Sequence, residues 1–276
     1  MKRSGKSKTR LDELLVERGY CPSRERAKRM VIEGKVKIPG YSKPVKPANC
    51  FDPDVTIQLV EAPPYVSRGG EKLEKALREF SLDPAGLVFA DIGASTGGFT
   101  DCLLQHDASR VYAIDVGYGQ LHEKVRSDPR VVVRDRTNAR YLTPDDFPEL
   151  MDGVVVDVSF ISLRLLFSPI YQILKPGGVL LTLIKPQFEV GKSQVGKRGI
   201  VKRKELHCQV LNQIVEAANE NSFVLKGLAF SPLTGAKGNI EFLAYWRKAK
   251  RECCPEREWG EIIAQLVEET HRNFGV

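Results

Sequence analysis

Nowhere in the 276 residues does an apolar run approach the roughly 18 positions that a membrane-spanning helix needs. The opening ten residues are basic but lead into Leu11-Asp12-Glu13, not an apolar core, so a secretory leader is not expected. Cysteine is scarce and scattered. Its six positions (Cys21, Cys50, Cys102, Cys208, Cys253, Cys254) form no C-x-x-C and no dense framework, which argues against disulfide scaffolds and zinc knuckles. Reduced thiols and a cytoplasmic location are the expectation. With 42% hydrophobic and 28% charged residues, wholesale disorder is excluded as well. What remains is a soluble globular chain, long enough for one large domain or two unequal ones.

Charge is the first positive signal. Of the net +7, residues 1–62 supply +6, with 14 Lys and Arg against 8 Asp and Glu; the remaining residues are nearly neutral. Such asymmetry describes a small basic module joined to a neutral one, with nucleic acid as its natural polyanion. A solvated basic tail, Lys2 to Arg10, would explain only part of it.

Beyond that tail, Leu11, Leu14 and Leu15 recur at helical spacing and Gly19 stops them. Ser23 is placed to cap a second helix with an apolar stripe of Ala27, Met30 and Val31, ended by Gly34. Arg24, Arg26, Lys28 and Arg29 lie around the rest of that helix. Residues 35–38 and 55–59 alternate like short strands. Arg10-Leu11-Asp12-x-Leu14-Leu15, Arg18-Gly19, Ser23-Arg24-x-x-Ala27 and Ile32-x-Gly34-x-Val36 together resemble the αL-type RNA-binding domain named after small-subunit ribosomal protein S-four. Pro39-Gly40 stands where that family usually has Asn-Gly. The resemblance implies recognition of structured RNA through phosphates and shape, with Arg10, Arg24, Arg26, Lys28, Arg29 and Lys35 as candidate contacts.

Ala62-Pro63-Pro64 reads as a stiff joint, because proline fixes its own φ and restricts its predecessor. The expected division is a basic domain over 1–62, a linker over 63–68, a catalytic domain over 69–250 and a helical extension over 251–276. Within the large part, β-runs at 87–91, 111–116, 131–134, 154–158, 179–184, 223–230 and 240–246 alternate with helical patterns at 96–105, 162–174 and 204–219. That alternation predicts an α/β fold with a mostly parallel sheet. Only nine residues join the last two strands, so these should pair antiparallel.

The first of these strands runs into Asp91-Ile92-Gly93-Ala94-Ser95-Thr96-Gly97-Gly98-Phe99-Thr100. The spacing is G-x-x-x-G-G, not the G-x-G-x-x-G of dinucleotide folds. Asp115 and Asp135 end the next two strands, and Asp115 is suitably placed to hold a ribose diol. A tight turn with capping acids accounts for the glycines alone. Together with acids on three successive strands, D-x-G-x-x-x-G-G reads as an S-adenosylmethionine cradle built from Asp91, Gly93, Ala94, Ser95, Gly97, Gly98, Asp115 and Asp135.

Four more ionisable residues stand at predicted element ends: Lys72, Asp157, Lys185 and Glu241. Charges abutting buried strand residues need partners, so two salt bridges at the sheet rim would explain them structurally. If the two lysines converge, each favours the neutral amine of the other, which suits abstraction of a hydroxyl proton.

Ser67-Arg68-Gly69-Gly70-Glu71-Lys72-Leu73, the glycine stretch above, Asp157-Val158-Ser159-Phe160-Ile161-Ser162-Leu163, Lys185-Pro186-Gln187-Phe188-Glu189 and Gly238-Asn239-Ile240-Glu241-Phe242 resemble the TlyA (haemolysin A) family. The similarity spans about residues 9–246. It implies the S-four-like domain followed by an FtsJ-like, Rossmann-like methyltransferase domain with a seven-stranded sheet whose last strand is antiparallel. It also implies a Lys–Asp–Lys–Glu tetrad at Lys72, Asp157, Lys185 and Glu241, S-adenosylmethionine as cofactor, and cytidine ribose in ribosomal subunits as substrate. No metal is expected in that reaction.

Residues 187–204 carry Lys192, Lys197, Arg198, Lys202, Arg203 and Lys204 against Glu189 alone. They read as an ordinary loop or as a flap over RNA phosphates, with Lys192, Lys197 and Arg198 as contacts. The leading expectation is an rRNA 2′-O-methyltransferase; oligomeric state is left open, with a monomer preferred. The rivals are an inert RNA-binding assembly factor, disfavoured by the complete tetrad, and a cytolysin, disfavoured by the lack of a spanning segment. An NAD oxidoreductase fails on the glycine spacing.

Overall fold

The structure is a computed structural model describing residues 7–41, 43–60, 63–191, 194–196, 199–235, 237–249 and 259–275. Lys192, Lys197, Arg198, Cys253 and Cys254 lie outside the described residues. The chain divides into two compact units, Met1–Pro64 and Tyr65–Val276.

In the first unit, helix α1 (Leu11–Glu17) is followed by α2 (Arg24–Ile32). Strand β1 (Thr9–Arg10) pairs antiparallel with β3 (Cys50–Phe51), and β2 (Val36–Lys37) pairs antiparallel with β4 (Gln58–Leu59). The leucine triplet Leu11, Leu14 and Leu15 falls on one face of α1 and closes on Ala27 and Val31 of α2. Ser23 Oγ accepts the Arg26 amide at 3.2 Å, capping α2. Residues 55–59 keep their alternation only in part: Ile57 is buried and Thr56 and Gln58 are exposed, but Leu59 is exposed as well. Ladder pairing is confined to Gln58–Leu59, because β2 offers only two residues to pair with.

Two candidate RNA contacts also have a structural partner. Arg10 clamps the buried Asp12 carboxylate with Nε and Nη2, both at 2.9 Å, and Arg24 adds a third bond at 3.3 Å. A buried carboxylate needs such partners, and hydrogen bonding from Arg10 holds Asp12 below the usual carboxylate range. Arg26, Lys28 and Arg29 are exposed. Lys35 meets Glu33 at 2.6 Å in a half-exposed pair, the kind that is weak and exchangeable.

The second unit takes in residues 65–68 of the expected linker. Val66 N–H donates to Asp101 Oδ2 at 2.9 Å and Tyr65 Oη donates to Glu74, which folds residues 65–68 into this unit. Helix α3 (Gly69–Glu79) follows, then β5 (Val88–Ile92), α4 (Gly98–Gln105), β6 (Arg110–Ile114), α5 (Glu123–Arg126), β7 (Val131–Arg134) and β8 (Met151–Val156). The chain continues through α6 (Phe167–Ile173), β9 (Leu174–Ile184), α7 (Pro186–Glu189), α8 (Lys204–Glu220), β10 (Phe223–Phe230), β11 (Phe242–Lys248) and α9 (Gly260–Phe274).

One seven-stranded sheet has the order β10-β11-β9-β8-β5-β6-β7. Strands β9, β8, β5, β6 and β7 are parallel, and β11 is antiparallel to both its neighbours. Period-two alternation divides each strand between two cores. Ala90 and Ile92 of β5, Val154 and Val156 of β8, and Ala244 and Trp246 of β11 join the core that also takes in residues of α6, α8 and α9. Phe89, Val155 and Leu243 join the opposite core with residues of α3 and α4. Chain order reverses between β5 and β8, and at such a switch point the carboxyl ends of strands open a crevice. No helix among the described residues is long and apolar enough to cross a membrane.

Candidate active site

A cleft of about 560 Å³ opens at that switch point, and a hollow of about 350 Å³ adjoins it, sharing Gly93, Ser95, Asp157, Ser159 and Phe160 as walls. Volumes of this order suit a nucleoside-sized cofactor. The close fit of β5 and β8 depends on Gly93: a Cβ there would stand 2.7 Å from the Asp157 carbonyl oxygen, and its φ is +84°. Gly98 likewise opens α4 where a Cβ would lie 2.9 Å from the Gly70 amide nitrogen. The chain thus reaches the cleft as bare backbone, the surface that a cofactor can approach closely.

The candidate tetrad comes together here. Lys72 stands on α3, Asp157 and Lys185 directly follow β8 and β9, and Glu241 directly precedes β11; all four line the cleft. Lys72 Nζ meets Glu241 Oε2 at 2.6 Å, and Lys185 Nζ meets Asp157 Oδ1 at 2.6 Å. Both lysine side chains are only 11% exposed, and Glu241 is 3% exposed. The lysines therefore enter one cleft as two separate ion pairs, each with its own carboxylate. Lys185 Nζ also reaches Ser159 Oγ at 2.9 Å, a contact that strand-end reasoning did not supply.

Of the candidate cofactor residues, Gly93, Ala94, Ser95 and Gly98 line the cleft. Asp115 lines the adjoining hollow, where its two oxygens accept the Ser95 amide at 2.9 Å and the Gly117 amide at 2.7 Å. Each oxygen keeps a second lone pair, the number a ribose diol requires. Gly97 is the left-handed N-cap of α4 and is not among the lining residues.

Asp91 and Asp135 line neither the cleft nor the hollow. Asp91 is fully buried, and Thr100 Oγ1 donates to its Oδ2 at 2.6 Å, which pins the glycine loop from behind. Burial pushes its carboxyl up to about 7. Asp135 accepts the Gly119 amide and Arg126 Nη2, both at 3.1 Å, and stands outside the hollow. Thr137, Asn138 and Ala139, just beyond it, line the hollow instead.

The mouth of the cleft carries Phe160, 92% exposed with φ +65°, its ring 5.0 Å from that of Phe188. A bulky residue in the left-handed region is strained, and such strain concentrates at functional sites. Below it, buried Glu189 accepts from Ser162 Oγ at 2.6 Å and from the Leu163 amide at 2.8 Å, fastening α7 to the loop that bears Phe160. Burial raises the Glu189 carboxyl above its ordinary range. Asn239 ties residues 199–201 to the approach to β11, its Oδ1 accepting the Val201 amide at 2.9 Å and its Nδ2 donating to the Gly199 carbonyl at 2.8 Å.

A doubly wound sheet with a glycine loop, an acid just after the second strand and paired lysines and carboxylates in one cleft is the arrangement of a cofactor-dependent group-transfer fold. The family model for FtsJ-like methyltransferases matches residues 65–248, and that for the S4 domain matches residues 9–40. A Bacillus subtilis protein provisionally named rRNA methyltransferase YqxC is 47% identical, over 97% of this chain and 95% of its own length. The 16S/23S rRNA (cytidine-2′-O)-methyltransferase TlyA of Mycobacterium tuberculosis is 42% identical, over 87% of this chain and 90% of its own. A solved structure provisionally described as a hemolysin from Streptococcus thermophilus is 42% identical, covers 97% of each chain and superposes with a TM-score of 0.76. This chain belongs to the FtsJ-like methyltransferase family, within the group whose members carry the TlyA and hemolysin names.

Proposed function

We propose that the protein transfers a methyl group from S-adenosylmethionine to a ribose 2′-hydroxyl of ribosomal RNA, with cytidine as the target. The observation that carries this reading is the pair of lysine–carboxylate contacts lining one cleft beside the glycine loop. When bound, the cofactor supplies an electrophilic sulfonium methyl. Gly93, Ala94, Ser95 and Gly98 offer it close backbone, and Asp115 has the lone pairs for its ribose. Thr137, Asn138 and Ala139 stand where its base would rest.

On the substrate side, Lys185 engages the hydroxyl oxygen while Asp157 and Ser159 hold the Lys185 amine in place. Lys185 in its neutral form takes the hydroxyl proton, and the Asp157 carboxylate beside it stabilises the ammonium that results. Lys72 and Glu241 position the sugar. Holding a hydroxyl in line with a methyl carbon is worth much of the barrier in reactions of this kind. Phe160 offers a face on which an extruded base can stack. In the first unit, the exposed Arg26, Lys28 and Arg29 supply phosphate contacts, with Lys35 beside them.

Labelled methyl transfer to purified ribosomal subunits tests the assignment. Wild-type protein should label rRNA at a ribose, while Lys185→Ala should lose about 10²–10⁴-fold in rate, the usual worth of a proton-transfer group, and keep its cofactor affinity. Equal labelling by the two proteins would overturn the role of Lys185. Label on a base would overturn the reaction.

A further inference from the structure

Three side chains that methyl transfer does not use meet between α3 and α4. Cys102 and His106 stand four residues apart and share one helical face, and Glu74 reaches them from α3. One donor atom of each lies within 4.8 Å of the other two. His106 Nε2 is 3.7 Å from Glu74 Oε2, while the 3.9 Å approach of Cys102 Sγ is to Nδ1, the ring nitrogen that faces the Cys102 carbonyl. Cys102 is buried while Glu74 and His106 are half-exposed, so the cluster opens to solvent on one side. None of the three lines the methyl-transfer cleft.

Their outer partners are arranged as ligands require. His106 Nδ1 lies 2.9 Å from the Cys102 carbonyl oxygen; donating to it leaves the Nε2 lone pair free on the side of Glu74. A ring nitrogen bonded to a backbone carbonyl is the usual device for orienting a metal-binding imidazole. Tyr65 Oη donates to Glu74 Oε2 and so orients the carboxylate.

From this geometry we infer that Glu74, Cys102 and His106 form a binding site for a divalent transition metal, with Zn²⁺ as its natural occupant. One sulfur, one imidazole nitrogen and one carboxylate oxygen match zinc; magnesium and calcium prefer sites made of oxygen alone. Binding replaces the Cys102 S–H bond with a metal–sulfur bond and releases the proton to water. Thiolate and carboxylate then balance the 2+ charge, and water from the open side completes four-coordination. The ion would fasten α3, which carries Lys72, to α4, which starts at the glycine loop. Sequence spacing did not reveal the site, because Glu74 lies 28 residues before Cys102 on another helix. The proposal does not rest on the methyl-transfer reading, so failure of that activity leaves its test intact.

Full-length protein stripped with a chelator is titrated with Co²⁺ and followed by absorption, then back-titrated with Zn²⁺. One equivalent of Co²⁺ should bind with a thiolate-to-cobalt charge-transfer band that Zn²⁺ abolishes. Tyr65→Phe should keep the band and weaken Zn²⁺ binding roughly 10–100-fold, the cost of losing an orienting partner. His106→Ala and Glu74→Gln should weaken it more than that, and Cys102→Ser should lose the band. Absence of a thiolate band in the wild type, or its survival in Cys102→Ser, overturns the site. Should Cys102→Ser not fold, the half-exposed His106→Ala and Glu74→Gln decide the matter: unchanged Zn²⁺ affinity in both overturns it.

Discussion

Ser159 touches Lys185 Nζ at 2.9 Å and nothing in its own chemistry makes it a base. Its proposed contribution is positional, so Ser159→Ala should lower kcat on the order of 10–100-fold, the worth of a hydrogen bond to a charged group. Cofactor affinity measured by calorimetry should stay the same; a matching loss there would mean that the serine shapes the cofactor cradle instead. Phe160 makes a different prediction, because its ring is exposed at the cleft mouth. Stacking a base on an aromatic face is worth roughly 1–3 kcal/mol. Phe160→Ala should therefore raise KM for RNA or lower kcat/KM by on the order of 10–100-fold, while Phe160→Tyr should retain most of the activity. The tetrad was legible in the sequence because Lys72, Asp157, Lys185 and Glu241 interrupt apolar strands or follow glycines at element ends. Asp91 and Asp135 share that placement and yet do not enter the cleft. Along a strand each step of one residue turns the side chain to the other face, and an acid's place in a word does not say which backbone amide or arginine will claim it.

Two helices meet at a buried histidine pair that no periodicity announced. His207 Nδ1 of α8 lies 2.9 Å from His271 Nε2 of α9, with Lys204 and Glu268 paired at 2.7 Å between the same helices. Burial, and then the neighbouring His271, pulls His207 down to about 4. Between there and the ordinary value near 6.5, the unfolded chain binds a proton that the folded chain refuses. Stability from this contact is complete above about pH 6.5 and is lost as pH falls toward 4. A shift of this size is worth about 3 kcal/mol, or roughly 5–10 °C in Tm for a unit of this length. Thermal unfolding of the wild type should fall off between about pH 7 and pH 4.5 more steeply than that of His207→Gln. Parallel curves would show that the pair does not titrate with folding. The helix pattern itself was readable, since Leu206, Val210 and Ile214 share a face of α8. By contrast α3 went unread: Gly69-Gly70 at its start weakens the helical signal, although Leu73, Ala76 and Leu77 supply the stripe. Sequence marks where apolar residues recur, whereas the His207–His271 contact needs the tertiary fold that brings α9 onto α8.

On the scale of the whole molecule, charge and chemistry are divided between the two units. The first 62 residues hold six of the seven net positive charges, a balance that already counts Asp12, the buried partner of Arg10 and Arg24. Besides the Asp12-paired Arg24, α2 exposes three cations, Arg26, Lys28 and Arg29, with no aromatic platform among them. Such a surface neutralises phosphates without reading bases, and its affinity must fall with salt. Replacing all three by glutamine should therefore leave S-adenosylmethionine binding, which belongs to the second unit, unchanged. It should raise KM for ribosomal subunits and reduce the slope of log K against log salt by about 2–3, since each lost phosphate contact removes roughly 0.7–0.9. Ser23, which caps α2, is left intact, so circular dichroism should report the same helix content. If the triple variant keeps its salt slope, α2 is a solvated face and the RNA contacts lie elsewhere in the chain. If the slope falls while methylation at saturating subunit concentration is retained, docking and chemistry are separable functions of the two units.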